Sequence, residues 1–396
     1  MRIALIADTY LPLRSSGAVQ LRDLAQELVR QGHDITVLVP STEIDRPWVL
    51  ETLNGVQVLR LRAPRTKDIG RVRRTINEAL LSIAMWRGLR LSPLRDVRWE
   101  GVVWYSPTIF LGPLAGVLRR ASGCRSYLIL RDIFPEWAVD MGLLRRGVIY
   151  GFFKLVERFQ YSVADTIGVQ SPSNFPYFTA WAGKPGRRVE VLQNWLADAE
   201  DVGCSISVAD TPLAGRTIFV YAGNMGVAQG MDIFIDLATR LRERADVGFL
   251  FVGRGTDVQR LRALAAERGL DNVVFRDEIE PHEVPGLLAQ CHVGLVALDP
   301  RHTTHNVPGK FLTYMYAGLP VLARINPGND LTALIEADGV GYAYAGELVD
   351  ALLALAERLA NDADGWTAMA ARGRALAARE FSPHAVADQV LAGLRR

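Results

Sequence analysis

Short apolar runs alternate along the chain with longer stretches that have helical spacing. In the first half, residues 21–31 have the spacing of an amphipathic helix that ends before Gly32. The apolar runs predict strands at residues 3–7, 35–39, 57–61, 101–105, 126–130 and 166–169. Strands that are apolar throughout and separated by helices are typical of a doubly wound α/β domain, a parallel sheet with helices on both faces.

The same alternation starts again in the second half. Residues 197–215 are rich in Ala, Asp, Gly and Ser and predict an interdomain linker. Beyond them the pattern predicts strands at 217–221, 247–252, 273–276, 293–296 and 321–323, and helices at 231–244, 258–268, 284–290, 350–361 and 365–379. A last helix begins with Ser382 as N-cap and Pro383 at the first helical position. Two such domains bind ligands between the carboxyl ends of their sheets.

Length and composition are those of a globular protein. The chain has 396 residues, enough for two domains that each bury a core, and 22% of them are charged. A net charge of +2 is too small to indicate binding of nucleic acid. The cysteines, Cys124, Cys204 and Cys291, form no CxxC or Cys/His cluster, so we expect neither a disulfide framework nor a structural metal. A reducing cytoplasm fits this pattern.

Neither a secretory signal nor a membrane-spanning segment is predicted. Asp8 interrupts the apolar run at the start of the chain, which therefore has the pattern of a strand. No stretch reaches the roughly 18 apolar residues that a spanning helix needs. We therefore expect any contact with a membrane to be peripheral.

Lys310 is the first candidate for a functional group. It stands in a predicted loop before a short helical run that ends at Gly318 and Pro320. A cation beside the free N–H groups of a helix start makes a site for an anion. The alternative is a solvated surface lysine, which this pattern alone does not exclude.

Glycine-rich turns follow two predicted strands of the second half. Gly223, Asn224 and Gly226 follow strand 217–221, and Gly253 and Arg254 follow strand 247–252. Because the carboxyl ends of parallel strands meet at one edge of a sheet, these turns and the lysine loop predict one cradle for a diphosphate. Ordinary turn glycines are the alternative.

Three residues of the first half follow predicted strands. Gly17 lies in the first connection from strand to helix, where its missing side chain lets a ligand approach the backbone. That connection lacks a GxGxxG motif, which argues against a nicotinamide cofactor. Arg131 and Asp132 follow strand 126–130, and they are either catalytic groups at the cleft rim or a structural ion pair.

Residues 60–98 are the most basic part of the chain, and apolar residues and tryptophan are interleaved with the arginines. Such a segment suits an anionic membrane surface. Nucleic acid and a plain solvated face are the alternatives. The residues that we expect to face a membrane are Arg71, Arg73, Arg74, Trp86 and Arg87.

Together these motifs resemble the family 4 retaining glycosyltransferases, which have the GT-B fold of two Rossmann-like domains facing across a cleft. The resemblance covers nearly the whole chain. It rests on the Gly17 loop, on AGNMG at 222–226, on FVGRG at 251–255 and on VPGKFLTYMYAGLPV at 307–321. RDIFPEW at 131–137 and NPGND at 326–330 resemble a narrower branch, the bacterial O-antigen and surface-polysaccharide N-acetyl-L-fucosamine transferases.

The resemblance implies a role for each matching residue. Lys310 would hold the donor diphosphate and neutralise the leaving group, with Arg254 and the turn amides assisting. Asp132, with Arg131, occupies the place of the family's catalytic histidine or acidic group. The last helix would cross back onto the N-terminal domain. The other residues that we expect at the donor site are Gly17, Gly223, Asn224, Gly226, Gly253, Phe275, Asn306 and Thr313.

The sequence departs from the family pattern at two places. His305 and Thr313 stand where the family often has the two glutamates of a Glu-x7-Glu pair, and Asn224 and Gln229 replace its usual Arg and Lys. A threonine would hydrogen-bond the nucleotide ribose more weakly than a carboxylate. More of the expected donor binding therefore depends on Lys310 and Arg254.

The resemblance and the basic segment imply an acceptor-binding domain of residues 1–198 with 382–396 and a nucleotide-sugar-binding domain of residues 199–381. The expected reaction is a retaining transfer, without metal or cofactor, of an N-acetylated hexosamine or deoxyhexosamine from a UDP-sugar to a polyprenyl-diphosphate-linked sugar. We expect it in the cytoplasm, at the anionic inner face of the plasma membrane, with no nucleic acid as partner. The alternatives are a UDP-sugar 2-epimerase and a non-catalytic scaffold that binds sugar nucleotides or membranes.

Overall fold

The chain divides into two compact units. The computed structural model describes residues 1–13, 15–66, 69–140, 142–300 and 307–395. The first unit comprises Met1–Trp195 and Pro383–Arg396, and the second comprises Leu196–Ser382. Each unit contains one sheet with helices packed on it.

An eight-stranded sheet forms the centre of the first unit. Its strands are β1 (Arg2–Ile6), β2 (Asp34–Ser41), β3 (Trp48–Leu53), β4 (Val56–Arg62), β5 (Gly101–Ser106), β6 (Arg125–Leu130), β7 (Thr166–Val169) and β8 (Arg188–Val191). They lie in the order β3-β4-β2-β1-β5-β6-β7-β8, and β3 is antiparallel to β4. The six predicted strands are present, whereas β3 and β8 were not predicted. Both are sheet edges with mixed, half-exposed residues, so neither has an apolar run.

Helices cover both faces of this sheet. They are α1 (Ser16–Arg30), α2 (Arg71–Leu91), α3 (Gly112–Ser122), α4 (Glu136–Asp140), α5 (Val148–Val163) and α6 (Thr179–Ala182). One face packs on α2, α3 and α5, and the other packs on α1. Ser15 caps α1, because its Oγ accepts the backbone N–H of Ala18 at 3.4 Å. The sequence suggested that Gly17 lies in the loop before α1, but Gly17 lies in the first turn of that helix.

The second unit has a parallel sheet among its described residues. Its strands are β9 (Thr217–Ala222), β10 (Val247–Val252), β11 (Val273–Arg276), β12 (Val293–Ala297), β13 (Val321–Arg324) and β14 (Gly341–Tyr344), in the order β11-β10-β9-β12-β13-β14. Its helices are α7 (Asp232–Arg240), α8 (Val258–Glu267), α9 (Val284–Leu288), α10 (Gly309–Ala317), α11 (Asp330–Asp338), α12 (Val349–Asn361) and α13 (Ala363–Leu376). The sequence predicted five of these strands and missed the half-buried edge strand β14.

The segment that was expected to be a linker belongs to the second unit. Val208 and Leu213 are buried in its core, and the Nε2 of Gln290 donates to the carbonyl oxygen of Ile206 at 2.9 Å. The linker prediction was wrong because a composition of Ala, Asp, Gly and Ser indicates the lack of a regular element, not the lack of packing.

The final helix, α14 (Pro383–Arg395), joins the first unit. Val386 and Val390 are buried between α1 and the sheet, in the core that contains β1 and β6. A Cβ on Gly393 would lie 2.6 Å from the Tyr127 ring, so the glycine permits close contact between helix and strand. The predicted return of the chain to its first unit is present.

Candidate active site

A pocket of about 230 Å³ lies in the second unit at the carboxyl ends of β9 and β10. The loops after both strands and side chains from α10 line it. We call it the Lys310 pocket. The residues that line it are Ala222, Gly223, Val252, Gly253, Glu278, Ile279, Pro281, Val284, Lys310, Thr313 and Tyr314. The structure thus brings together Gly223, Gly253, Lys310 and Thr313, four of the residues expected at a donor site.

Lys310 lies in the first turn of α10, so its predicted position in the preceding loop was wrong. Pro308 is the N-cap residue of the helix, and its side chain makes no hydrogen bond to the first turn. The Nζ of Lys310 lies 4.7 Å from the centroid of the Tyr221 ring. Burial lowers the pKa of Lys310 from 10.5 to about 8, and no charged neighbour among the described residues opposes that shift. An ammonium group desolvated without a counter-charge is arranged to receive an anion.

Two glycines make room for the lysine. Gly223 and Gly253 have φ angles of 134° and 143°, which other residues rarely adopt. A Cβ on Gly223 would lie 2.8 Å from the Cε of Lys310, and a Cβ on Gly253 would collide with the carbonyl oxygen of Gly223. The N–H of Gly223 donates to the carbonyl oxygen of Val252 at 2.8 Å, which joins the two turns. These positions therefore require glycine.

Two tyrosines that the sequence reasoning missed hold the turn after β9. The hydroxyl of Tyr314 donates to the carbonyl oxygen of Val220 and accepts the N–H of Ala222, both at 3.3 Å. The hydroxyl of Tyr221 donates to the carbonyl oxygen of Asn224 at 2.7 Å. Burial raises the pKa of both tyrosines, so both stay protonated and keep donating. Their position at a strand end and in the helix after the lysine is the signal that could have identified them.

The remaining residues of the turn after β9 shape the loop without lining the pocket. The Oε1 of Gln229 accepts the N–H of Gly226 at 2.9 Å and the Nδ2 of Asn224 at 3.3 Å. Asn224 is exposed, and Gly226 is buried. At the two positions where the resemblance led us to expect Arg and Lys, this turn therefore has the neutral Asn224 and Gln229, which hydrogen-bond to each other.

Arg254, Phe275 and Asn306 do not appear in the pocket wall. Arg254 is exposed, and its Nε lies 3.3 Å from the Oε2 of Glu278, which does line the pocket. Phe275 stacks on Phe251 with 5.1 Å between ring centroids, so its ring belongs to the core stack and not to the pocket. Asn306, like the neighbouring His305, lies outside the described residues.

Glu278 was not anticipated by the sequence reasoning. It follows β11 by two positions, at the same edge of the sheet as the glycine turns, and this position was the available signal. Thr313, one turn after Lys310, lines the pocket too, and its hydroxyl donates to the carbonyl oxygen of Gly309 at 3.2 Å. Among the described residues, the pocket wall therefore combines the cation of Lys310 and the carboxylate of Glu278 with two hydroxyl-bearing residues, Thr313 and Tyr314.

In the first unit, Gly17 lines a pocket of about 280 Å³ at the carboxyl ends of β1 and β5. A Cβ on Gly17 would lie 3.0 Å from the hydroxyl oxygen of Tyr105, so the first turn of α1 packs closely on that ring. Arg74, which the sequence placed among the membrane-facing residues, is exposed, also lines this pocket and pairs with Glu78 at 2.8 Å. The other lining residues are Asp8, Thr9, Ser15, Thr66, Glu78, Pro107 and Thr108.

Arg131 and Asp132 follow β6 but do not pair with each other within 4.0 Å. The Nη1 and Nη2 of Arg131 donate to the carbonyl oxygens of Leu192 and Gln193 at 2.9 and 3.2 Å, and its guanidinium lies 5.0 Å from the ring of Trp195. Arg131 therefore holds the segment after β8. Asp132 is exposed to solvent on one side, and desolvation of its carboxyl by the surrounding protein raises its pKa, although the charge of Arg131 acts in the opposite direction.

The basic helix α2 exposes Arg73, Arg74, Trp86 and Arg87, four of the residues expected to face a membrane, and Arg71 begins the helix. Its other face, which includes Met85, is buried against the sheet. Within the described part of the chain, no helix has both the length and the hydrophobicity to cross a bilayer.

Both units match known protein families. Residues 17–195 match the family described as "Glycosyl transferase 4-like domain", and residues 216–362 match "Glycosyl transferases group 1". WbjE of Pseudomonas aeruginosa, named as a glycosyltransferase, is 27% identical over 233 residues, 57% of this chain and 57% of that relative. The glycosyl transferase WcaI of Escherichia coli (strain K12), whose name assigns it to colanic acid biosynthesis, is 24% identical over 377 residues, 89% of this chain and 91% of that relative.

Solved structures share the fold at low sequence identity. Sucrose-phosphate synthase from Thermosynechococcus elongatus superposes with a TM-score of 0.71 at 17% identity, covering 100% of this chain and 98% of that one. Anabaena Alr3699/HepE, solved in complex with UDP, has a TM-score of 0.68 at 14% identity, covering 100% of both chains. The chain is therefore a glycosyltransferase of the GT-B fold, with a family 4-like first unit and a group 1 second unit.

Proposed function

We propose that this enzyme transfers an N-acetylated hexosamine or deoxyhexosamine from a UDP-sugar to a lipid-linked sugar during synthesis of a bacterial surface polysaccharide, with retention at the anomeric carbon. The complex of HepE with UDP supports a UDP-linked donor. The assignment of WcaI to colanic acid biosynthesis supports the polysaccharide. N-acetyl-L-fucosamine is the first sugar to test, because RDIFPEW at 131–137 and NPGND at 326–330 resemble its transferases.

The observation that carries this proposal is the desolvated ammonium of Lys310 in a glycine-walled pocket. During transfer, the bond from the sugar C1 to the diphosphate oxygen breaks, and the diphosphate leaves with the electron pair. A hydroxyl oxygen of the acceptor bonds to C1, and its proton passes to an oxygen of the departing diphosphate. Negative charge grows on the diphosphate, so a fixed cation there stabilises the transition state, by roughly 3 kcal/mol for one such group. Lys310 supplies that charge without a metal ion.

Glu278 takes the place of the carboxylate that is missing at position 313. A ribose offers hydroxyl donors, and a carboxylate accepts them more strongly than a threonine hydroxyl does. Both residues line the same pocket, so a ribose bound there meets Glu278 and Thr313 together. Changing Glu278 to Gln should raise the Kd for UDP more than the Kd for inorganic diphosphate, and equal losses for both ligands would contradict the ribose role.

The first unit binds the acceptor. Asp132 is the exposed carboxylate at the carboxyl end of β6, and we assign it to the substrates, where it orients acceptor or donor. Arg131 is a positioning residue, because its terminal nitrogens hold the carbonyl groups of Leu192 and Gln193. The exposed Arg73 and Arg87 attach the enzyme to the anionic inner face of the plasma membrane, where a lipid-linked acceptor lies.

The test is a transfer assay with a panel of UDP-sugars and a polyprenyl-diphosphate-linked sugar, read by mass spectrometry. A product that is heavier by one sugar, with the anomeric configuration of the donor by NMR, supports the proposal. Release of an epimerised UDP-sugar without transfer would instead identify an epimerase. If calorimetry detects binding of UDP but no donor gives a product, the protein only binds the nucleotide, and the proposed enzymatic role is refuted.

A further inference from the structure

Helix α5 exposes a stripe of apolar side chains to solvent, although its last turn also buries Tyr161 and Val163 in the core. Val148, Phe152, Leu155 and Phe159 recur at the spacing of one helix face, and all four are exposed, with Leu155 at 69% and Phe159 at 49%. Glu157, in contrast, is buried. A soluble helix normally buries the first kind of residue and exposes the second.

The polar residues of α5 are held inside by specific partners. The Nζ of Lys154 lies 2.7 Å from Glu157 and 2.8 Å from Glu136 of α4. The Nε2 of Gln160 donates to the hydroxyl of Ser106 at 3.0 Å. These contacts fix the rotation of the helix about its axis. The apolar stripe is therefore held outward by the structure and is not a surface that another rotation would bury.

Helix α2 exposes a second apolar stripe on the same face of the sheet. Val72, Ile76, Leu80 and Ile83 are exposed, Ile76 at 55%. Both helices pack against the short turn Ile109–Leu111, and the ring of Phe110 in that turn lies 6.5 Å from the ring of Phe152. We call the eight residues Val72, Ile76, Leu80, Ile83, Val148, Phe152, Leu155 and Phe159 the α2–α5 surface.

The charges around this surface have one sign. The exposed charged side chains of the two helices include Arg73, Arg87, Arg90 and Arg158. Their only carboxylates within the described residues, Glu78 and Glu157, are ion-paired with Arg74 and Lys154. Apolar stripes bordered by arginine match a bilayer with anionic headgroups, since apolar side chains enter the acyl boundary while guanidinium groups stay at phosphate level.

We propose that the α2–α5 surface inserts into the headgroup layer of an anionic membrane, with the stripe of α5 entering the acyl boundary. This deepens the proposed function, on which it rests, by naming the element that enters the lipid. A second copy of the chain is the less suitable occupant, because two such faces would bring like-charged arginines together. The alternative of purely electrostatic attachment leaves the outward stripe of α5 without a role.

The surface is continuous with the proposed acceptor site. Phe134 lies two positions after Asp132, and its ring is 4.9 Å from that of Phe153 on α5 and 6.0 Å from that of Trp137. Insertion of α5 therefore places the Asp132 loop beside the headgroup layer. A sugar linked through diphosphate to a polyprenyl chain reaches that position without leaving the membrane.

The experiment is flotation of the full-length protein with vesicles of phosphatidylcholine, with or without phosphatidylglycerol, at low and high NaCl. The test variant is Leu155→Gln with Phe159→Gln, two exposed positions where glutamine leaves the core intact. The matched control is Leu348→Gln, which removes an exposed apolar side chain of the second unit. The shift in melting temperature caused by UDP shows in each variant that the second unit is folded.

The wild-type protein should float with phosphatidylglycerol vesicles and keep part of its binding at high salt. The double variant should bind these vesicles about tenfold more weakly or worse and lose the salt-resistant part, because two apolar side chains no longer enter the lipid. Unchanged flotation of the double variant, or no flotation of the wild type, would overturn the proposal. So would a dimer that dissociates in the double variant with vesicle binding unchanged, which would assign the surface to a second copy. Loss of UDP binding with flotation intact would refute the donor assignment alone.

Discussion

Replacing Lys310 with methionine should make the ligand-free protein more stable while weakening its binding of UDP. Methionine keeps an unbranched, apolar side chain of similar length, so the packing on Tyr221 and Gly223 is retained and the charge is lost. Most substitutions in a binding pocket either destabilise a protein or leave its stability unchanged. A gain in stability together with a loss of binding is therefore the result that removal of a desolvated charge predicts.

The size of the effect follows from the pKa of Lys310. A fall from 10.5 to about 8 means that the folded state disfavours the charged form. At about 1.4 kcal/mol per pH unit, this corresponds to roughly 3 kcal/mol as an upper value. The side chain keeps some solvent contact, so we expect the variant to be about 1–3 kcal/mol more stable at pH 7.

The difference in stability between the wild type and the Lys310→Met variant should also depend on pH. Below pH 8 the lysine is charged in both the folded and the unfolded states, so the whole penalty is present. Between pH 8 and 10.5 the unfolded chain binds more protons than the folded one, so the stability of the wild type rises relative to that of the variant. The difference between the two proteins should therefore close as the pH rises through this window.

The assay is urea unfolding and thermal denaturation of both proteins, with and without UDP. The Kd for UDP should rise about a hundredfold in the variant, in proportion to a lost charge contact of roughly 3 kcal/mol. The matched control is Lys184→Met, an exposed lysine of the first unit that should change neither quantity. A Lys310→Met protein that is no more stable than the wild type and binds UDP equally well would refute the desolvated-charge argument.

Three further predictions test other parts of the site. Gly223→Ala should reduce UDP binding at least tenfold, since its Cβ meets the Cε of Lys310 at 2.8 Å and its φ is 134°; calorimetry with unchanged affinity would count against the glycine wall. Asp132→Asn should lower kcat of sugar transfer by about tenfold or more while the melting shift caused by UDP stays the same, and unaltered kinetics would remove Asp132 from the mechanism. Arg73→Gln with Arg87→Gln should weaken the salt-sensitive part of vesicle binding several-fold; a salt dependence identical to that of the wild type would exclude these arginines.

The fold was predictable because its central strands are buried on both faces and are therefore apolar throughout. The edge strands were not, since a strand such as β3 with half-exposed residues has no apolar run. For the same reason, the burial of Val208 and Leu213 was hidden: single apolar residues in a polar segment carry no period.

The candidate site could be predicted in part. The glycines were recognisable because glycine is the residue that readily adopts a positive φ. Lys310 was recognisable because it is a single basic residue in an otherwise uncharged motif. Glu278 and Tyr221 were missed although both stand at the carboxyl end of a strand, since that position alone does not show which side chains line the pocket or support its turns. The outward face of α5 was hidden as well. Its periodicity is the same whether the apolar stripe faces the core or the solvent, and only the partners of Glu157 decide between them.

The path of the chain between the two units sets the order in which they can be completed during synthesis. The second unit is a continuous segment, Leu196–Ser382, whereas the core of the first unit includes Val386, Val390 and Leu394 of α14. On the ribosome, the first unit must wait with an open face over β1 and β6 until residues 383–395 emerge. The usual order, in which N-terminal domains fold first, is thereby reversed for the last step. A nascent chain stalled before α14 should expose an apolar sheet face that a chaperone can bind.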